Sequence, residues 1–69
     1  MFAKELRKYR LKVALTQEEV AAKAGVTREY VSMLEAGKNL PTIEVFIRLC
    51  RAVKASPAEF ISKVDRSLP

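Results

Sequence analysis

The run Thr16-Gln-Glu-Glu-Val-Ala-Ala-Lys-Ala-Gly25-Val-Thr27-Arg-Glu-Tyr-Val-Ser-Met-Leu-Glu-Ala36 decides the fold. Thr16 with Glu19 three residues later is a capping box. The hydroxyl accepts the Glu19 amide, the carboxylate reaches back to the Thr16 amide, and a helix starts there. Val20, Ala21 and Ala24 fall on its inward face. Gly25 supplies the left-handed conformation that closes a helix after about two turns. Thr27 caps a second helix at about 28–36, with Val31 and Leu34 inward and Gly37 as its stop.

Two short helices joined by so tight a turn need small residues where their backbones approach, and Ala21 and Ala24 provide them. They also need an apolar residue midway along the second helix to dock it on the first, and Val31 stands there. Val20, Ala21, Gly25, Val26, Val31 and Leu34 together make the seam of a helix-turn-helix unit over 16–36.

The flanking segments read as helices too. In 2–13, Phe2, Leu6, Tyr9 and Val13 share one face, while Lys4, Lys8 and Lys12 run down another. That segment holds five cations and one carboxylate, most of the net charge of +5. The lysine stripe is either a solvated face or a set of phosphate contacts. Pro41 ends a loop begun at Lys38, and Thr42 caps a broadly apolar helix at about 43–54. Ser56-Pro57-Ala58-Glu59 repeats the start signal, with proline in the first turn and a second capping box. The expected architecture is all-α: one compact five-helix domain over 1–69, with no strand, linker or repeat.

Inventory excludes much. The 69 residues contain no histidine and one cysteine, so triads, disulfides and Cys/His metal sites lack their parts. The two glycines are not followed by a Gly-Lys-Ser/Thr run, and an enzyme is not expected. No cofactor is expected, and Cys50 reads as core filler. Charges at Lys4, Glu5, Arg7 and Lys8 interrupt any signal-peptide core, and no apolar run reaches bilayer length, so a soluble, cytoplasmic protein is the expectation. The basic excess points to a polyanion, nucleic acid before membrane surface. The cations border no single apolar face of the kind a membrane-surface helix needs.

The string TQEEVAAKAGVTREYVSMLEAGKNLPT, with its flanks from about Leu6 to Phe60, resembles the phage Cro/repressor-like (Xre-type) helix-turn-helix regulators. The matching positions are Thr-Gln, Ala, Gly, Val-Thr, Leu-Glu, Gly-Lys and Pro. The resemblance implies transcriptional regulation, with the third helix in the major groove of double-stranded DNA and a homodimer on an inverted repeat. It also implies a structural salt bridge between Arg10 and Glu35. Where relatives carry polar or basic residues this chain has Ala36, Leu40 and Ile43, which weakens the loop's share of backbone contacts. Arg28 and Glu29 replace the glutamines that many relatives use, so the target should contain G·C pairs there.

The chemistry of the third helix supports the same role. Arg28 can fork onto guanine O6 and N7, and Glu29 can accept from a cytosine amino group. Ser32 is short enough for close approach to a base edge or phosphate. Tyr30 either reaches the DNA or packs on the first or fourth helix, and Met33 is a core-edge residue or a methyl contact. Arg28 and Glu29 also have a plain reading as solvated first-turn residues. Thr16 and Gln17, at the start of the second helix, and Thr27 are the phosphate candidates on one side. Lys38 and Asn39 are those on the other. The dimerisation region is expected within 43–68, at Phe60, Ile61, Val64 or Leu68 with part of the fourth helix. The alternative is that these side chains only close the monomer core.

Three functions fit these residues. The first is a dimeric operator-binding repressor or activator, such as a phage regulator or a restriction–modification controller, that blocks or recruits RNA polymerase. The second is an antitoxin that binds a small toxin as well as DNA. The third is a protein–protein adaptor that does not read sequence.

Overall fold

The computed structural model describes residues 2–68, without the side chain of Ser67. Its elements are α1 (Phe2–Lys12), α2 (Gln17–Ala24), α3 (Arg28–Glu35), α4 (Ile43–Ala52) and α5 (Pro57–Ser67). Among the described residues there is no strand, and no helix is long and apolar enough to cross a membrane.

Four hydroxyls open helices. Thr16, Thr27, Thr42 and Ser56 accept the amides of Glu19, Tyr30, Val45 and Glu59 at 3.1, 3.1, 3.3 and 3.4 Å. Each such cap is worth about 1 kcal/mol. The box at α2 is complete, since the Thr16 amide donates to Glu19 Oε1 at 2.9 Å. The box expected at α5 is not. The Glu59 carboxylate turns instead to the Tyr9 hydroxyl at 3.3 Å and the Lys63 ammonium at 3.7 Å, partners that a local pattern does not reveal.

Four of the five helices, α1 to α4, close by one device. Among the described residues, Ala14, Gly25, Gly37 and Lys54 have φ of 58, 72, 76 and 57°. The amide that follows each reaches back five residues: Leu15 to the Arg10 carbonyl, Val26 to Ala21, Lys38 to Met33 and Ala55 to Cys50, at 2.8–3.1 Å. These are Schellman closures. Because a left-handed residue cannot continue a helix, α1 stops at Lys12 and α4 at Ala52, short of the expected 13 and 54. At α3 the C-cap is Ala36, so the helix ends at Glu35.

Three of the four junctions between described helices share a three-residue plan: a left-handed residue, a half-buried apolar residue packed on the core, and a Thr or Ser cap. They are Ala14-Leu15-Thr16, Gly25-Val26-Thr27 and Lys54-Ala55-Ser56. The apolar member pins each corner to the core. The fourth junction departs from this plan, with Lys38-Asn39-Leu40-Pro41 between Gly37 and the Thr42 cap.

α2 packs against α3 and α4, α1 against α3 and α5, and α4 against α5. Leu6, Val20, Val31 and Leu34 are fully buried where α1, α2 and α3 meet, and Cys50 is buried as expected. In the expected seam, Gly25 is exposed and Val26 half-buried, because both belong to the turn itself. At the other end Phe60 lies among Phe2, Phe46 and Tyr9, with ring centroids 5.4, 5.3 and 5.0 Å away. Phe60 is 1% exposed, which removes it from any interface between two copies. Its ring joins α5 to α1 and α4 inside one protomer.

Candidate nucleic-acid interface

α3 buries Val31 and Leu34, so the residues on its other side are presented outward. Arg28 and Glu29 stand at its first turn with side chains 56% and 76% exposed. Their charged atoms are 4.0 Å apart, a solvated pair worth little that leaves both groups free to meet a base edge. Ser32 is half-buried and Met33 exposed. Tyr30 is half-buried and packs against the edge of the core, which limits it to contacts at the rim of the helix.

The caps place donors beside this surface. A threonine hydroxyl that accepts a backbone amide keeps its own proton, so Thr27 can still donate outward, whereas the Thr16 proton is shared with the Glu19 carboxylate. Thr16, Gln17 and Arg28 line one open hollow of about 610 Å³, which brings the start of α2 to the start of α3. Lys38 and Asn39 are exposed in the loop after the other end of α3. The candidate base contacts are therefore flanked on both sides by candidate phosphate donors. Leu40 and Ile43 are 78% and 75% exposed. Leu40 of the loop and Ile43 at the start of α4 offer apolar side chains there rather than hydrogen bonds.

A charge hub fixes the attitude of α3. Arg10 Nε and Nη2 donate to Glu35 Oε2 and Oε1 at 2.6 and 2.9 Å, and Nη1 donates to the Leu15 carbonyl at 2.9 Å. The two side chains are 11% and 5% exposed. The hydrogen bond to Glu35 raises the Arg10 pKa above its ordinary value, outweighing the opposing effect of burial. Gln17 Nε2 also donates to Glu35 Oε1, at 3.2 Å. Sequence reading missed this bond and the one to Leu15. One carboxylate thus joins the last turn of α1, the first of α2 and the last of α3. The Gln17 amide is committed in part to this hub.

The helix-turn-helix family pattern matches residues 6–60. An HTH-type transcriptional regulator of Methanothermobacter thermautotrophicus is 37% identical over 60 residues, covering 87% of each chain. One from Sinorhizobium fredii is 38% identical over 53 residues, which is 77% of this chain and 69% of that protein. Among solved structures, the restriction-modification controller protein C.AhdI of Aeromonas hydrophila superposes with a TM-score of 0.81 at 30% identity, covering 86% of this chain and 89% of its own. The clp gene regulator ClgR of Corynebacterium glutamicum gives 0.90 at 29% identity over 96% and 70%. This chain belongs to the helix-turn-helix family of Cro/repressor-like, Xre-type transcriptional regulators.

Proposed function

We propose that the protein is a homodimeric operator-binding regulator that seats α3 in the major groove of an inverted repeat. The carrying observation is the surface of α3: exposed Arg28 and Glu29 on a helix whose opposite face is wholly buried, with donors at both flanks. Arg28 reads guanine, Glu29 a cytosine amino group, and Ser32 lets the helix approach closely. Tyr30 contributes at the rim. Thr16, Gln17, Thr27, Lys38 and Asn39 hold the phosphates and fix the register. The resemblance to a restriction-modification controller protein supports this reading over an adaptor role. Regulation follows from occupancy: a bound dimer obstructs or recruits polymerase.

One recognition helix contacts too few base pairs to select a site in a genome, and two helices one DNA turn apart solve that problem. The dimer face assigned here is a stripe on α5. Ile61 is 53% exposed, half-buried Val64 sits at the core edge three residues on, and Leu68, the cap just beyond the helix, is 50% exposed.

Selection from a randomised duplex library tests the proposal, with the wild-type protein and Arg28→Ala in parallel. An enriched inverted repeat with half-site centres about 10–11 bp apart supports the dimeric reader. Relaxation of one G·C position by Arg28→Ala supports the direct contact. Salt-sensitive binding without any enriched motif overturns the operator reading.

A further inference from the structure

A second charged surface lies away from α3. Glu5, Lys8, Tyr9 and Lys12 of α1 face Lys63 and Arg66 of α5 across an open groove of about 420 Å³, four cations and one carboxylate, with the Glu59 carboxylate beside Lys63 at 3.7 Å. Its position on α1 follows from helical geometry. Arg10 points toward α3, where it holds Glu35. Lys8 and Lys12 are each two residues from Arg10, about 200° of rotation, so they occupy the opposite flank. The groove therefore stays open while α3 is engaged.

We propose that this groove docks an acidic polypeptide segment of a partner protein. Charge complementarity sets the sign of the occupant, and three features choose its class. The Tyr9 ring is 7% exposed, with Phe60 stacked on it at 5.0 Å and the Lys63 ammonium 4.7 Å from its centroid, so it offers no face to a nucleobase. Glu5, with a side chain 13% exposed and 3.7 Å from Lys8, sits among the cations and repels an unbroken run of phosphates. A peptide places its carboxylates at intervals and presents backbone amides to Glu5 between them. The volume suits several side chains and not a duplex. A partner held there bridges the DNA-bound regulator to another protein without competing for α3.

The test is an NMR titration of the full ¹⁵N-labelled chain with the synthetic peptide acetyl-Glu-Glu-Asp-Leu-Glu-Glu-Asp-Leu-amide. The expected result is amide shifts confined to residues 5–12 and 59–66. Lys12→Glu/Arg66→Glu should weaken binding about tenfold or more. Lys23→Glu/Lys54→Glu, with the same net charge on other exposed surfaces, should weaken it by less than about threefold. A preserved amide spectrum in each variant shows that the fold is intact. Shifts centred on α3, equal losses in the two variants, absence of binding, or equal occupancy of the groove by duplex DNA each overturn the proposal. None of these outcomes depends on finding an operator.

Discussion

Arg10 and Glu35 are 25 residues apart and meet through two parallel N–H···O bonds, at 2.6 and 2.9 Å, with less than an eighth of either side chain in contact with solvent. Removing one partner leaves a desolvated charge without its counterpart. Arg10→Met and Glu35→Leu should each cost about 3 kcal/mol, at the low end for a buried pair because a solvent edge remains. The double variant should recover most of that loss, since an apolar pair of similar volume needs no desolvation. Urea unfolding of the four proteins measures the cycle. Additive losses would show that the pair acts through packing and not through charge.

Two helix corners carry avoidable strain. Ala14 and Lys54 occupy the left-handed region at φ 58 and 57°, at exposed positions. Ala14→Gly and Lys54→Gly each relieve about 1 kcal/mol or more, partly offset by the greater freedom of glycine in the unfolded chain. Each should raise stability by about 0.5 kcal/mol. Gly25→Ala should destabilise by about 1 kcal/mol through φ alone, because the new Cβ meets Arg48 Nη1 at an ordinary 3.5 Å. Thermal unfolding compares the three.

The capping box at α2 is a carboxylate device. Hydrogen bonds from the backbone amide and side chain of Thr16 hold the Glu19 pKa below the ordinary 4.5. A depressed folded-state pKa contributes stability above the unfolded value and loses it as pH falls through the folded one. Glu19→Gln should therefore flatten the acid limb of the stability–pH curve below pH 4.5 and leave its shape near neutrality unchanged. Chemical denaturation from pH 7 to pH 3 follows the difference. An unchanged acid limb would remove Glu19 from the balance.

Base and phosphate contacts separate by their salt dependence. Arg28→Ala should cost about 1–3 kcal/mol on the selected site, with relaxed preference at one position. Lys38→Ala should weaken binding evenly across sequences and lower the log–log salt slope by about 1. Fluorescence anisotropy on matched and mismatched duplexes at several salt concentrations distinguishes the two. A change of sequence preference in Lys38→Ala would move that residue to a base edge.

Local chemistry was legible in the sequence, and pairing across the chain was not. Thr16, Thr27, Thr42 and Ser56 announce helix starts because a cap bonds only three residues onward. Gly25 and Gly37 announce stops because glycine tolerates positive φ. Ala14 and Lys54 do the same work without that signature, so α1 and α4 end one to two residues before the sequence pattern does. Phe60 shows the larger limit. Periodicity places it on the apolar side of α5, but only assembled packing shows that Phe2, Tyr9 and Phe46 enclose it while Ile61 and Leu68 stay exposed. The sequence shows Gln17 only as a residue at a helix start, and its bond to Glu35, 18 residues away, has no sequence signature.

The repeated three-residue corner also bears on how fast the chain folds. Each of those corners is set by residues that are neighbours in sequence, so its closure demands little loop entropy. The costly closures are those that bring Phe60 to Phe2 and Tyr9 and so join α5 to α1. A helical chain whose corners are set locally belongs among the microsecond-to-millisecond folders. Its rate should then follow the α1–α5 junction, while lengthening the 38–41 loop leaves that rate nearly unchanged.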